Sequence, residues 1–337
     1  MKKTIGNEAD LIDQMCTPSD AVCDAVAALD GDIMVLGAAG KMGPTLCELL
    51  VRAGARRVIA VSRFSNAEQR SYLRRLGVET IAADLLEKGA LDSLPDAPYV
   101  YQMAGFKFGA TGNEDTTWAM NSWLPGEVVR RYRDARIVYV SSGNVYAYTS
   151  AKGTGADEDS AVEPIGEYAQ SRLGGERLAQ YWARVQGTPL AVVRLFYATE
   201  LRYGIIHDLA WKVWNGDPID LTMGYVNQIW QGDANAYLCR LFPLCAHPPA
   251  TVNMTGLAVL STRTLAEELG VLLGQEPNFV NREAEDALLG DTRRLASALG
   301  PPEVGVEQML EWTADWVKAG GKSLGKPTKY ESRSGRF

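Results

Sequence analysis

The chain has 337 residues, 46% hydrophobic and 22% charged, enough apolar material for one large or two smaller soluble domains. A formal charge of -7 without a strong basic tract makes it a poor nucleic-acid binder. With two histidines, His207 and His247, it cannot build a three-histidine zinc site, and proton transfer in an enzyme of this sequence falls to Tyr, Ser, Lys or carboxylates.

Residues 1–31 read as a helical extension, in which Pro18, Ser19 and Asp20 open a short helix that closes before Asp30-Gly31. Short apolar runs then alternate with helical periodicity. Runs at 32–36, 57–62, 80–83, 99–103 and 136–140 predict strands, and 44–53, 66–76 and 116–134 predict helices. The alternation gives an α/β class: a Rossmann-type doubly wound parallel sheet over 32–195. Beyond 195 the pattern loosens, with helices expected at 210–214 and 260–273 and prolines in the loops. Residues 196–318 read as a smaller C-terminal substrate-binding region interleaved with the sheet, and 319–337 as a solvated, polar, basic tail. Cys16, Cys23, Cys47, Cys239 and Cys245 contain no CxxC pair and fit reduced thiols. With no apolar run near the ~20 residues of a membrane span and no signal-peptide pattern, the expectation is a cytoplasmic protein without a membrane partner.

The segment Gly37-Ala38-Ala39-Gly40-Lys41-Met42-Gly43 follows the first strand and opens a helix. Glycines there permit a tight turn and close approach of a pyrophosphate to the helix N-terminus. At the end of the second strand Ser62-Arg63 stands where an acidic residue would bind the 2′-hydroxyl of NAD. Arg63 suits a 2′-phosphate, so NADP is expected, with NAD the alternative.

The ordered landmarks resemble the extended short-chain dehydrogenases/reductases, the NAD(P)-dependent sugar epimerase/dehydratase group. They are the glycine turn, Asp84-Leu85, Ala104-Gly105, Asn121, Ser141-Ser142-Gly143-Asn144-Val145-Tyr146, Glu167-Tyr168-Ala169-Gln170-Ser171-Arg172, and Asn253-Met254-Thr255-Gly256. The resemblance implies an oxidoreductase or epimerase acting on a sugar, sugar acid or polyol, and often a homodimer. It implies cofactor contacts from Gly37, Ala39, Gly40, Lys41, Met42, Gly43, Ser62, Arg63, Asp84, Leu85, Ala104 and Gly105, and no metal. Tyr168 would be the acid/base, Ser142 would orient the substrate, and Asn121 would support the active-site helix. A phenol ionises near pH ~10 in water, so a neighbouring cation must favour its phenolate. The family places lysine four residues after the tyrosine; here that residue is Arg172. Three outcomes follow: Arg172 substitutes, Lys107 moves in, or redox activity is lost and a non-catalytic NADP-binding sensor remains. Gly143-Asn144 replaces the acid pair of the family's dehydratases, which argues against a 4,6-dehydratase. Lys107, Asn144, Arg202, Tyr203 and Gln231 are the expected substrate contacts.

Overall fold

The computed structural model describes residues 5–107 and 109–335. Ile33–Leu36 (β1) is apolar at four consecutive positions and buried at all four, as a strand covered on both faces requires. Ile33 and Val35 face one apolar layer and Met34 and Leu36 the other, following the two-residue strand period. The other strands of the main sheet are Val58–Ser62 (β2), Glu79–Ala82 (β3), Tyr99–Gln102 (β4), Arg136–Ser142 (β5), Leu190–Leu195 (β6) and Ala250–Met254 (β7). They lie in the order 3-2-1-4-5-6-7, all parallel. The order reverses between β1 and β4, so a crevice opens at the carboxyl ends of these strands.

Helices Glu8–Cys16 (α1), Asp20–Ala27 (α2), Gly43–Arg52 (α3) and Ala67–Arg75 (α4) precede β3 in the chain. The predicted helix at 116–134 forms in three parts: Glu114–Trp118 (α5), a π-helical turn Ala119–Trp123, and Leu124–Arg131 (α6). The long helix Gly166–Gln186 (α7) crosses this π turn closely. A Cβ at Gly175 would stand 2.0 Å from the Asn121 carbonyl, so only glycine allows the approach.

A second apolar cluster joins Ile205–Asn215 (α8), Thr262–Leu273 (α10) and Val306–Lys318 (α12) to α1, with Gln231–Cys239 (α9) and Arg293–Leu299 (α11) completing the helices. The N-terminal extension is thus part of the core, with Leu11, Met15, Val22 and Val26 buried. Sequence periodicity did not anticipate α1.

The C-terminal tail is exposed over 322–327, but its later part docks on the protein. Thr328 donates from its backbone N–H and hydroxyl to Asp208 at 2.8 and 2.6 Å, and Tyr330 is 1% exposed. Gly335 packs its backbone on Ile165 and Gly166, just before Tyr168 in sequence. Arg333 pairs with Asp286 and lies over the Tyr148 ring, and Glu331 faces Lys212. No helix among the described residues is long and apolar enough to cross a membrane.

Candidate active site

The glycine turn is fixed by two close approaches. Gly37 has φ +86°, and a Cβ there would stand 2.5 Å from the Ala104 backbone nitrogen. A Cβ at Gly43 would stand 2.3 Å from the Ala38 carbonyl oxygen, blocking the packing of α3 on β1. No side chain caps the start of α3, which leaves its first N–H groups for an anion. Gly37, Ala39, Gly40, Ser62, Arg63, Asp84, Leu85, Ala104 and Gly105 line one cleft, together with Phe64, Ser65 and Gln69. Gly43 and Met42 lie at the start of α3, behind that lining. Arg63 is exposed and, among the described residues, has no ion-pair partner. The Asp84 carboxylate accepts from the Leu86 N–H at 3.0 Å and shapes its turn.

The catalytic candidates come from β5, α7, the π turn and the loop after β4. Ser142 ends β5; its hydroxyl donates to Asn144 Oδ1 at 3.0 Å and accepts the Asn144 N–H at 3.2 Å. Tyr168 is half-buried in the first turn of α7. The Lys107 amine lies 5.6 Å from the centre of its ring and 5.9 Å from that of Tyr197. Burial pulls the Lys107 pKa down to about 8.

Arg172 takes a different place. It is 4% exposed, its Nη2 donates to the Val140 carbonyl, and its Cζ lies 5.3 Å from the Tyr139 ring centre. A Cβ on Gly105 would come within 2.7 Å of Nη1, so glycine at 105 makes room for the guanidinium. The added bulk of arginine is absorbed under the sheet ends, between β4 and β5.

Asn121 couples these parts. Its Oδ1 accepts the Phe106 N–H at 2.8 Å, and its Nδ2 donates to the Phe106 carbonyl at 2.9 Å and to Ser171 Oγ at 3.1 Å. Ser171 in turn donates to the Tyr168 carbonyl at 2.8 Å. One amide therefore ties the residue before Lys107 to the helical turn carrying Tyr168. Behind them, Glu176 accepts from Ser141 at 2.7 Å and from Arg194 Nη2 at 2.8 Å, with side-chain exposures of 0% and 5% for the Glu176–Arg194 pair. Arg194 Nη1 also donates to the Tyr146 hydroxyl at 2.6 Å. Sequence reading missed this buried pair, whose members lie on different elements, α7 and β6.

Of the expected substrate contacts, Lys107 and Asn144 stand at the catalytic residues. Arg202 is held by Glu200 at 3.2 Å and Glu8 at 3.1 Å, which spends its charge within the protein. Gln231 is 1% exposed and donates to Thr45 at 3.0 Å, inside the α3–α9 contact rather than in the cleft. Tyr203 lies under the Lys41 amine, 4.3 Å from its ring centre. No cluster of metal-ligating side chains occurs among the described residues.

Residues 33–199 match the sequence profile of the NAD dependent epimerase/dehydratase family. A curated relative, the "Uncharacterized UDP-glucose epimerase YtcB" of Bacillus subtilis (strain 168), is 25% identical over 178 residues, 49% of this chain. The match spans only 55% of that relative's length. Among solved structures, the UDP-glucuronic acid 4-epimerase from Bacillus cereus in complex with NAD superposes with TM-score 0.73 at 19% identity, covering 85% of this chain and 96% of that one. Epimerase Mth375 from Methanothermobacter thermautotrophicus gives TM-score 0.72 at 20% identity, covering 89% and 96%. These likenesses establish the shared fold, and residues 33–199 belong to the NAD dependent epimerase/dehydratase family.

Proposed function

We propose that this member of the NAD dependent epimerase/dehydratase family is an NAD(P)-dependent oxidoreductase or epimerase acting on a sugar, sugar acid or related polyol. The observation that carries the reading is Tyr168 with the Lys107 amine at its ring, beside the Ala104-Gly105 end of the glycine cradle. The cradle fits a dinucleotide, since a Cβ at Gly37 would close it and the start of α3 is uncapped. A nicotinamide bound there supplies a hydride acceptor and donor. Tyr168 takes the proton from the substrate hydroxyl and returns it. Lys107 sets its amine beside the Tyr168 ring, Ser142 turns its hydroxyl from Asn144 to the substrate oxygen, and Asn121 holds the Lys107 loop and the Tyr168 turn in register.

The relatives' names, with UDP-glucose and UDP-glucuronic acid, support a sugar-nucleotide substrate class. NADP is the proposed cofactor, because Ser62, Arg63 and Ser65 line the cleft end where NAD binding would favour an acid. A homodimer is proposed through α7, where Leu178, Tyr181 and Val185 are exposed at 41%, 52% and 59%, near Trp123 at 47%.

The test is Tyr168→Phe, followed by nicotinamide absorbance against a panel of sugars, sugar acids and nucleotide sugars. Turnover is lost and dinucleotide affinity stays within about twofold; retained turnover overturns the assignment. A second reading, a non-catalytic NADP-binding sensor, is favoured by one observation: Arg172 stands for the family's lysine and is committed to Val140. An inert wild type that gains turnover only as Arg172→Lys would decide for it.

A further inference from the structure

Lys41 sits in the glycine turn, yet its side chain leaves the turn. Its Nζ donates to the Ala198 carbonyl at 2.6 Å and lies 4.3 Å from the Tyr203 ring centre. Lys107 reaches the neighbouring residue of the same short strand, Tyr197–Thr199, with its amine 5.9 Å from the Tyr197 ring centre. Two amines, one from the turn after β1 and one from the loop after β4, thus converge on consecutive residues of one strand, and both are half-buried.

The charge around Lys41 is out of balance. Its electrostatic neighbours are one carboxylate, Glu200, and two cations, Arg202 and Lys107. Glu200 already accepts the Arg202 N–H at 2.8 Å and Arg202 Nε at 3.2 Å at both oxygens, so it is committed elsewhere. An ammonium has three donors, and the hydrogen bond to Ala198 uses one. Burial, opposed by Glu200 and reinforced by Arg202 and Lys107, draws the Lys41 pKa down to about 7. A bound anion relieves that strain by favouring the charged form.

We propose that Lys41 is an oxyanion-binding residue for the substrate, taking a carboxylate or phosphate of an acidic sugar on the side of the crevice that Lys107 also borders. This rests on the sugar-enzyme reading and narrows its substrate class to acidic sugars. The other source of the same chemistry is the pyrophosphate of the dinucleotide, and the experiment separates the two.

Dissociation constants are measured by calorimetry for glucuronate, glucose 1-phosphate and glucose with dinucleotide-saturated wild type, Lys41→Met and Lys41→Arg, and for the dinucleotide itself. The wild type binds at least one acidic sugar tenfold or more tightly than glucose. Lys41→Met brings that ratio to near one, Lys41→Arg restores it, and the dinucleotide constant moves less than twofold. A tenfold loss of dinucleotide affinity in Lys41→Met with the sugar ratio kept assigns the amine to the cofactor and overturns the proposal. So does equal weakening of acidic and neutral sugars, which is a structural role only, or a wild type with no acidic preference. The ratio measured in Tyr168→Phe keeps the outcomes apart: an active Tyr168→Phe sinks the catalytic reading, while the ratio alone judges Lys41.

Discussion

Replacing Lys107 by methionine keeps much of the side chain's volume and removes its charge. The amine lies 5.6 Å from the Tyr168 ring centre, and at roughly that separation a unit charge acts on negative charge developing at the tyrosine by about 3 kcal/mol at an effective dielectric of ~20. That is about a hundredfold in rate where the phenolate is the working base. Single-turnover nicotinamide absorbance near pH 7 therefore falls about a hundredfold in Lys107→Met, with dinucleotide affinity little changed. Arg172→Met, whose guanidinium is committed to Val140 and Tyr139, costs less in rate than Lys107→Met. The pH profile supplies a second check. Burial pulls the Lys107 pKa down to about 8, so its charge, and the support it gives negative charge developing at Tyr168, fades as pH rises through that value. The wild-type rate bends downward there relative to Lys107→Met, which has no such group to lose. A loss under threefold in Lys107→Met, or a larger loss in Arg172→Met, would refute the reasoning and return the role to Arg172.

Removing the Glu176 carboxylate strands Arg194, 5% exposed by side chain, without its counter-charge. Glu176→Leu costs about 3–5 kcal/mol of unfolding free energy by denaturant titration, and Glu176→Leu/Arg194→Met recovers much of it. A loss below about 1 kcal/mol contradicts a buried, dry pair. Arg63→Ala weakens NADP about tenfold or more and leaves NAD within twofold, measured by fluorescence titration; equal effects on both would remove the 2′-phosphate assignment. The Lys41 and Lys107 pKa values lie below those of unfolded lysine. Between about pH 7 and pH 10.4 the unfolded chain holds more protons at these sites, so their contribution to stability rises with pH across that window. Lys41→Met/Lys107→Met flattens that slope, and an unchanged slope counts against the shifts. Val185→Asp on the exposed stripe of α7 shifts sedimentation toward monomer, while a wild type that is already monomeric ends the dimer proposal.

Much of the sheet could be read from local chemistry. Four-residue apolar runs such as Ile33–Leu36 need cover on both faces, and glycines at 37, 40 and 43 need a turn and a close helix. Both demands act within a few residues, so one sequence expresses them. The order of landmarks from Gly37 to Arg172 likewise carried the family, whose profile spans 33–199. What side chains touch was decided by residues far apart in sequence. Periodicity marked a helix over 116–134 but not the π turn that presents Asn121, because that turn answers to the close crossing of Gly175 on α7. Lys41 read as a cofactor-turn residue, and only the return of the chain at 197–203 gives its amine the Ala198 carbonyl and the Tyr203 ring. Composition made the tail look solvated; Asp208 on α8 and a buried site for Tyr330 dock its later part. Sequence alone settled which residue types and turns this protein carries and the layered sheet they build. Tertiary structure puts the Lys107 amine 5.6 Å from the Tyr168 ring centre and the Arg172 guanidinium against Val140 and Tyr139. Arg172 and Lys107 are both long and charged, and their destinations depend on space at Gly105 and on hydrogen-bond acceptors contributed by distant strands.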